Sequence, residues 1–498
     1  METAKYGLAL CALGLEKIVQ SEIERIGLKP AGREAGRVRF ELGEAPDAAL
    51  MRANLCLRCA ERVLIEAGRF HAENFDELFE QIRSIPWEAY FRRDDRLAIE
   101  RVRLRDSALA AQTSVQSVAH KAVYDRLGKA YNLTRLPESG AERSLRIYIE
   151  SDGCLLGLDS SGEALHRRGY RRNAVEAPLK ETVAAGILFL SGWNRRIPLL
   201  DPFCGSGTIG VEAALYAIDR APGHGRAFAL EGMPFAAAAV LRAEVAAAES
   251  RVRRDVEFRI TCSDVDPRAL EAARANASLA GVAAGIEFRK GRAEEASPGY
   301  EEGYLLCNPP YGERLGTEEE AEGLYRRMGE AAERFTGWGL GFVANRPDFG
   351  DFFGYEAPHP RKIVNGAEEQ WFHWYAPGQA LSPSQPRAPG QARSPGSVRR
   401  ASGEGARSSG GHRSPGARSG RGASAGKGPR GGGADMKTRD ASKDGERPLP
   451  WRPWIGPDLP GWRKSGRAER FEDGREEPRR AAGHPRGPDK SGWKKRQG

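Results

Sequence analysis

The chain has 498 residues, too long for one hydrophobic core, and its length points to about three domains. Its formal charge of +9 is unevenly divided: from Pro377 onward there are 27 Lys and Arg against 12 Asp and Glu, or +15, leaving 50 against 56, or −6, for residues 1–376. That split excludes a uniformly basic body, so any nucleic-acid contact by the folded part must come from local patches.

Seven cysteines, odd in number and scattered from Cys11 to Cys307, fit a reducing compartment and no disulfide framework. Cys56 and Cys59 form a lone CxxC, which cannot supply the ligands of a closed zinc site. No metal site is expected. The apolar run at residues 6–15 is flanked by Glu2 and Glu16 and lacks the basic start of a signal peptide. Residues 182–193, among the longest apolar runs elsewhere, are too short to span a bilayer. A soluble, cytoplasmic protein without membrane contact is expected.

In chain order, residues 1–50 read as strand, helix, strand, with the helix stopping at Gly27. Residues 51–67, which contain both CxxC cysteines, read as an amphipathic helix. A strand (LAIERVRLR), a second helix (SVQSVAHKAVYDRLGKAYN) and two short strands follow, up to about residue 160. Helices on one face of a mostly antiparallel sheet make this an α+β module. From Arg195 strands and helices alternate, which implies a mostly parallel, doubly wound α/β sheet. Residues 219–255 interrupt that alternation with an Ala- and Arg-rich, helical-looking insert. The segment KIVNGAEEQWFHWYA reads as a hairpin around Asn365-Gly366. From residue 377 the composition collapses to Gly, Ser, Pro, Arg and Ala, which cannot bury enough apolar surface to fold, so a disordered basic tail is expected. Its Arg, Gly and Trp content suits non-specific RNA tethering or mere solubilisation.

Three motifs carry chemistry. LLDPFCGSGTIGVEAAL places Gly205, Gly207 and Gly210 between a strand and a helix, where the backbone can approach a nucleotide-like ligand closely. Asp201, four residues before Gly205, would be a poor neighbour for a pyrophosphate and a good one for the cationic methionyl end of S-adenosylmethionine. Next, Asp264 closes the strand of TCSDVDP at the place where an acid accepts hydrogen bonds from ribose hydroxyls; Asp266 could simply cap the helix that follows. Third, LLCNPPYGERLG follows a strand. Its prolines stiffen the backbone, so that the Asn308 side chain and the Pro309 carbonyl can both accept hydrogen bonds from an exocyclic amine. Such an amine is a poor nucleophile until its lone pair is withdrawn from the ring and aimed. Tyr311 can stack on a flipped base.

DPFCGSGTI, SDVDP and NPPYGERLG together resemble the THUMP-containing 23S ribosomal RNA guanine-N2 methyltransferase family, and residues 158–188 are similar to that family's connector. The resemblance covers about residues 1–376. It implies a ferredoxin-like piece at 1–50, a THUMP RNA-binding domain at 51–160 and a Rossmann-like class I methyltransferase domain at 161–376, ahead of the 377–498 tail. It also implies that Asp201, Phe203, Gly205, Gly207 and Asp264 bind S-adenosylmethionine, that Asn308, Pro309, Pro310 and Tyr311 form the catalytic loop, and that residues 177–182 pack beside the cofactor. Where the family tends to have an Asp after the third strand, this chain has Arg292, so Glu294 or Glu295 substitutes or the contact is absent. Arg167, Arg168, Arg171 and Arg172 of the connector are the expected RNA phosphate contacts. The expected substrate is large-subunit ribosomal RNA. A transfer RNA methyltransferase is the nearest alternative, and a non-catalytic RNA-binding assembly factor is an alternative of another class. A single activity is expected, since the tail has no second Gly-rich loop. The modified nucleotide and the oligomeric state are not legible.

Overall fold

Residues 6–159 build one seven-stranded sheet. In the computed structural model, whose described residues are 4–171, 179–310, 317–365 and 368–384, the elements run β1 (Tyr6–Cys11), α1 (Glu16–Arg25), β2 (Pro30–Glu34), β3 (Arg37–Glu41), α2 (Pro46–Cys56), β4 (Ala60–His71), α3 (Phe75–Ser84), β5 (Arg96–Arg105), α4 (Gln112–Tyr131), β6 (Glu142–Glu150) and β7 (Gly153–Asp159). The strand order is β2-β3-β1-β4-β7-β6-β5, with only β5 and β6 parallel. Alternation decides the layers: Ala9, Val38, Val63, Ile65, Ile147 and Leu156 point into the main core with the helices, while Leu8, Leu64 and Leu155 form a separate small cluster. Arg39 and Arg62 reach across neighbouring strands to Glu66 and Asp159.

Residues 51–67 are not one helix. α2 ends at Cys56 and β4 begins at Ala60, so the expected division at residue 50 falls inside α2. The sequence ERVLIEAG fits a helical stripe, but β4 is the central strand and pairs on both sides, with β1 and β7. Two ladders and burial of Val63, Leu64 and Ile65 outweigh local preference. Cys59 is buried, and the Cys56 thiol accepts a hydrogen bond from Arg251, so the CxxC pair serves packing.

The second half continues with α5 (Glu181–Ser191), β8 (Leu199–Asp201), α6 (Thr208–Ala217), α7 (Ala238–Ser250), β9 (Ile260–Asp264), α8 (Pro267–Leu279), β10 (Ile286–Lys290), β11 (Tyr304–Cys307), α9 (Glu318–Ala332), β12 (Gly339–Ala344), α10 (Phe349–Phe353), β13 (Arg361–Asn365) and β14 (Glu368–Tyr375). The order β10-β9-β8-β11-β12-β14-β13 is parallel through β12 and antiparallel in the last two pairings. The expected hairpin is therefore present as β13 and β14; Gly366 of its turn lies outside the described residues, as does the expected tail from residue 385. No helix among the described residues is long and apolar enough to cross a membrane.

The 219–255 insert leaves β8 and β9 adjacent, as expected, and acquires a task of its own. Its helix α7 lies against α2, where Arg52 holds Glu244 through two hydrogen bonds of 2.9 and 2.6 Å and Asp47 accepts from Ala237 N–H at 3.0 Å. Arg226 donates to the carbonyls of Glu163, Ala164 and Leu165. Arg143 of β6, 2 % exposed, donates to Asp95 (2.9 Å) and to the insert carbonyls of Ala229 (2.7 Å) and Gly232 (2.6 Å). On another side, Leu13 and Val364 exchange backbone hydrogen bonds of 3.0 and 3.1 Å, joining the loop after β1 to edge strand β13.

Candidate active site

The carboxyl ends of β9, β8 and β11 lie side by side, with Asp201 level with Cys262 and Leu200 level with Leu305. Sheet order reverses direction at β8, the place where a doubly wound sheet leaves a crevice for ligands. The Gly-rich turn fills the gap between β8 and α6. Asp201, 1 % exposed, accepts from Phe203 N–H at 3.2 Å, and Asp264 accepts from Gly205 N–H at 2.9 Å and Asp266 N–H at 3.0 Å. The two acids thus organise the turn from below.

Two glycines are dictated by geometry. Gly207, which caps α6, has φ +83°, and a Cβ there would lie 2.9 Å from Cβ of Ala273. Gly210 sits one turn on, and a Cβ would lie 2.3 Å from Cys262 Sγ, so only glycine lets α6 approach β9 this closely.

Burial pushes the Asp201 carboxyl well above the ordinary carboxylate range; the Phe203 amide works against this and nearby Asp264 adds to it. Among the described residues Asp201 forms no ion pair, so a cationic ligand group is the partner that its chemistry lacks. Val265, 55 % exposed between Asp264 and Asp266, offers an apolar surface at the same rim. These features fit S-adenosylmethionine: an ammonium for Asp201, hydroxyls for Asp264 and an apolar ring surface for Val265.

At the end of β11, Asn308 is partly buried, and its Oδ1 is shielded from solvent without a hydrogen-bond partner among the described residues. A buried acceptor without a donor is costly, and an amine would satisfy it. Pro309 is buried, and the Pro310 carbonyl accepts from the Tyr325 hydroxyl at 3.3 Å, which ties the loop to α9. Tyr311 lies outside the described residues.

Further residues at the turn and its rim are not evident from the sequence. Asn276, fully buried on α8, donates to the Ser206 carbonyl at 3.0 Å and holds the turn from the far side. Its signal was a polar residue on the apolar stripe of Ala269, Leu270, Ala273 and Ala277. Val265 carried no pattern at all. Arg292 is exposed and pairs with Glu294 at 2.7 Å; Glu295 is 3.9 Å from it and more exposed. Glu294 is also engaged by Arg327.

The connector arginines divide. Arg167 is exposed and pairs with Glu163 at 3.1 Å. Arg168 is buried, with its guanidinium on the carbonyls of Leu165 and Arg58 and 3.6 Å from Glu212. Arg171 is spent on Leu179 O, Thr208 Oγ1 and Glu181. The expectation of phosphate contact is therefore corrected for Arg168, whose buried guanidinium is held by internal carbonyls; Arg171 turns its Nη2 to Leu179, Thr208 and Glu181. Arg172, Ala177 and Pro178 lie outside the described residues; Leu179, Glu181 and Thr182 are buried at the start of α5.

Comparison with known proteins agrees with this architecture. Residues 168–369 match a family model described as RMKL-like, methyltransferase domain; residues 8–64 match the RlmL ferredoxin-like domain and residues 72–159 the THUMP domain. A Bacillus subtilis relative named "Putative RNA methyltransferase YpsC" is 35 % identical over 73 % of this chain and 94 % of its own length. The chain belongs to the RMKL-like methyltransferase family. The cofactor of this RMKL-like methyltransferase is S-adenosylmethionine, as expected from Asp201 and the Gly-rich turn. A solved structure described as a "putative methyltransferase complexed with SAH" is 32 % identical, with a TM-score of 0.70 over 77 % of this chain and all of its own. The "Ribosomal RNA large subunit methyltransferase K/L" of Aliivibrio fischeri is 36 % identical over 64 % of this chain; the match spans 46 % of that relative, about half its length.

Proposed function

We propose that this RMKL-like methyltransferase methylates the exocyclic N2 amine of a guanine in large-subunit ribosomal RNA. The observation that carries the reading is the buried Oδ1 of Asn308, without a hydrogen-bond partner among the described residues, at the strand end beside the Gly-rich turn. S-adenosylmethionine, when bound, supplies an electrophilic methyl group. Asp201 holds the ammonium of the donor, Asp264 its ribose hydroxyls, and Phe203, Gly205 and Gly207 shape the backbone around it. Asn308 Oδ1 and the Pro309 carbonyl take one amine N–H each, which draws the nitrogen lone pair out of conjugation and fixes its direction. Pro310 stiffens that geometry, and Tyr311 stacks on the base. Positioning and electrostatics do this work without a strong general base. The THUMP match and the large-subunit name of the K/L relatives support ribosomal RNA as substrate, and exposed Arg167 remains the connector residue suited to a phosphate.

The test is mass spectrometry of nucleosides from large-subunit RNA and transfer RNA, with and without the gene. Loss of one N2-methylguanosine from large-subunit RNA, restored by wild type and not by Asn308→Ala, is expected. Purified Asn308→Ala should lose roughly 10²–10³-fold in kcat while still binding the methyl donor. Loss of the mark from transfer RNA alone would move the substrate to the nearest alternative and leave the chemistry standing.

A further inference from the structure

Helix α6 begins at the cofactor turn, and the connector grips its N-terminal half. At its first residue, Thr208 Oγ1 accepts from Arg171 Nη2 at 3.1 Å. One turn on, Glu212 Oε1, fully buried, accepts from the Tyr170 hydroxyl at 3.0 Å and lies 3.6 Å from Arg168. At the far end a residue outside the connector takes over: Arg58, between α2 and β4, donates to Leu215 O at 3.4 Å and to Arg220 O, just past α6, at 2.5 Å. Positions 208, 212 and 215 share one face of a helix. Arg171 does more than touch α6: the same guanidinium nitrogen donates to Leu179 O at 2.7 Å and lies 3.2 Å from the Glu181 carboxylate, at the start of α5. One guanidinium nitrogen therefore ties together the first turns of the two wholly buried helices that flank the cofactor turn.

We infer that Arg171 is a positioning residue for the methyl donor: it fixes the start of α6, and with it the Gly205–Gly207 turn, relative to α5. The inference rests on the donor-binding part of the proposed function. Arginine suits the task because its rigid, planar guanidinium presents Nη2 to both helices from a fixed direction, whereas a lysine ammonium is a point charge on a flexible stem. The role replaces the phosphate contact expected from sequence.

The experiment is calorimetric binding of S-adenosylhomocysteine to the full chain, alongside ligand-free thermal unfolding and RNA binding. Arg171→Gln should weaken S-adenosylhomocysteine binding roughly tenfold, the effect of losing a charged hydrogen bond that holds a site in shape. Arg171→Lys, which keeps the charge, should recover only part of this. RNA affinity should stay within about twofold, as expected for a side chain without a phosphate partner. A merely structural residue would lower the unfolding temperature and leave the affinity of the folded protein unchanged, and that result would overturn the inference. So would a loss of RNA affinity with S-adenosylhomocysteine binding intact, which would restore the phosphate role. If Arg171→Gln does not fold, Thr208→Ala removes the α6 end of the same latch; wild-type affinity in that variant would be equally fatal. Failure of the wild-type protein to bind S-adenosylhomocysteine would instead remove the functional reading itself.

Discussion

In the proposed site, Asp201 would join stability to ligand binding. Burial raises its carboxyl pKa well above the ordinary carboxylate range. A carboxyl with a raised folded pKa contributes stability that is present below its unfolded pKa and is lost as pH rises through the folded value. In the ligand-free protein Asp201 therefore works against stability at neutral pH. A bound ammonium favours the ionised form, so donor binding should release a proton near the raised pKa and weaken as pH falls below it. Calorimetry in buffers of different ionisation enthalpy should show this release for wild type and not for Asp201→Asn. An Asp201→Asn protein with the same proton release would assign it to another group. Asp201 and Asp264 stand out in the sequence as acids at strand ends beside a Gly-rich turn, and in the structure both accept backbone N–H bonds there. The exposure of Val265 at the rim and the internal partners of Arg171 were not legible: a lone valine has no pattern, and an arginine in a basic run looks solvated until its partners are known.

At the scale of elements, the cofactor turn is built by close approach of α6 to β9 and α8. Gly210→Ala would place a Cβ 2.3 Å from Cys262 Sγ, and Gly207→Ala would combine a φ of +83° with a contact of 2.9 Å to Ala273. A left-handed conformation costs a non-glycine residue about 1–2 kcal/mol before any clash is counted. Both variants should be destabilised in urea unfolding, and both should bind S-adenosylhomocysteine more weakly because α6 must retreat from the turn. An unchanged midpoint for Gly210→Ala would mean that Cys262 can move aside at little cost. The turn's glycine spacing was legible because GxGxxG between a strand and a helix states both needs. The misread stretch 51–67 shows the opposite case: its local pattern suits a helix, and only pairing with β1 and β7 makes it a central strand.

For the whole molecule, the question is what holds the sheet of the first half to the methyltransferase sheet. The 219–255 insert answers much of it, and Arg143 is its most buried anchor, with Asp95 and two insert carbonyls as partners. Removing one member of a buried, fully engaged pair typically costs about 3–5 kcal/mol. Arg143→Met should therefore lower stability by roughly that amount and open hydrogen exchange first at residues 229–232 and across α2 and α7. Exchange that rises only within β6 would show that the insert docks without Arg143. Sequence by itself determined the parallel sheet and the terminal hairpin, and it singled out the Gly-rich turn and Asn308 for the proposed site, since each depends on periodicity or on residue spacing within one short segment. Tertiary structure alone decided that β4 is a strand, that Arg168 and Arg171 face inward, and that the insert is a clamp. The physical reason is that those outcomes depend on partners outside the local segment, such as Arg58 for Arg168 and Glu244 for Arg52. Distant partners leave no local trace in the chain.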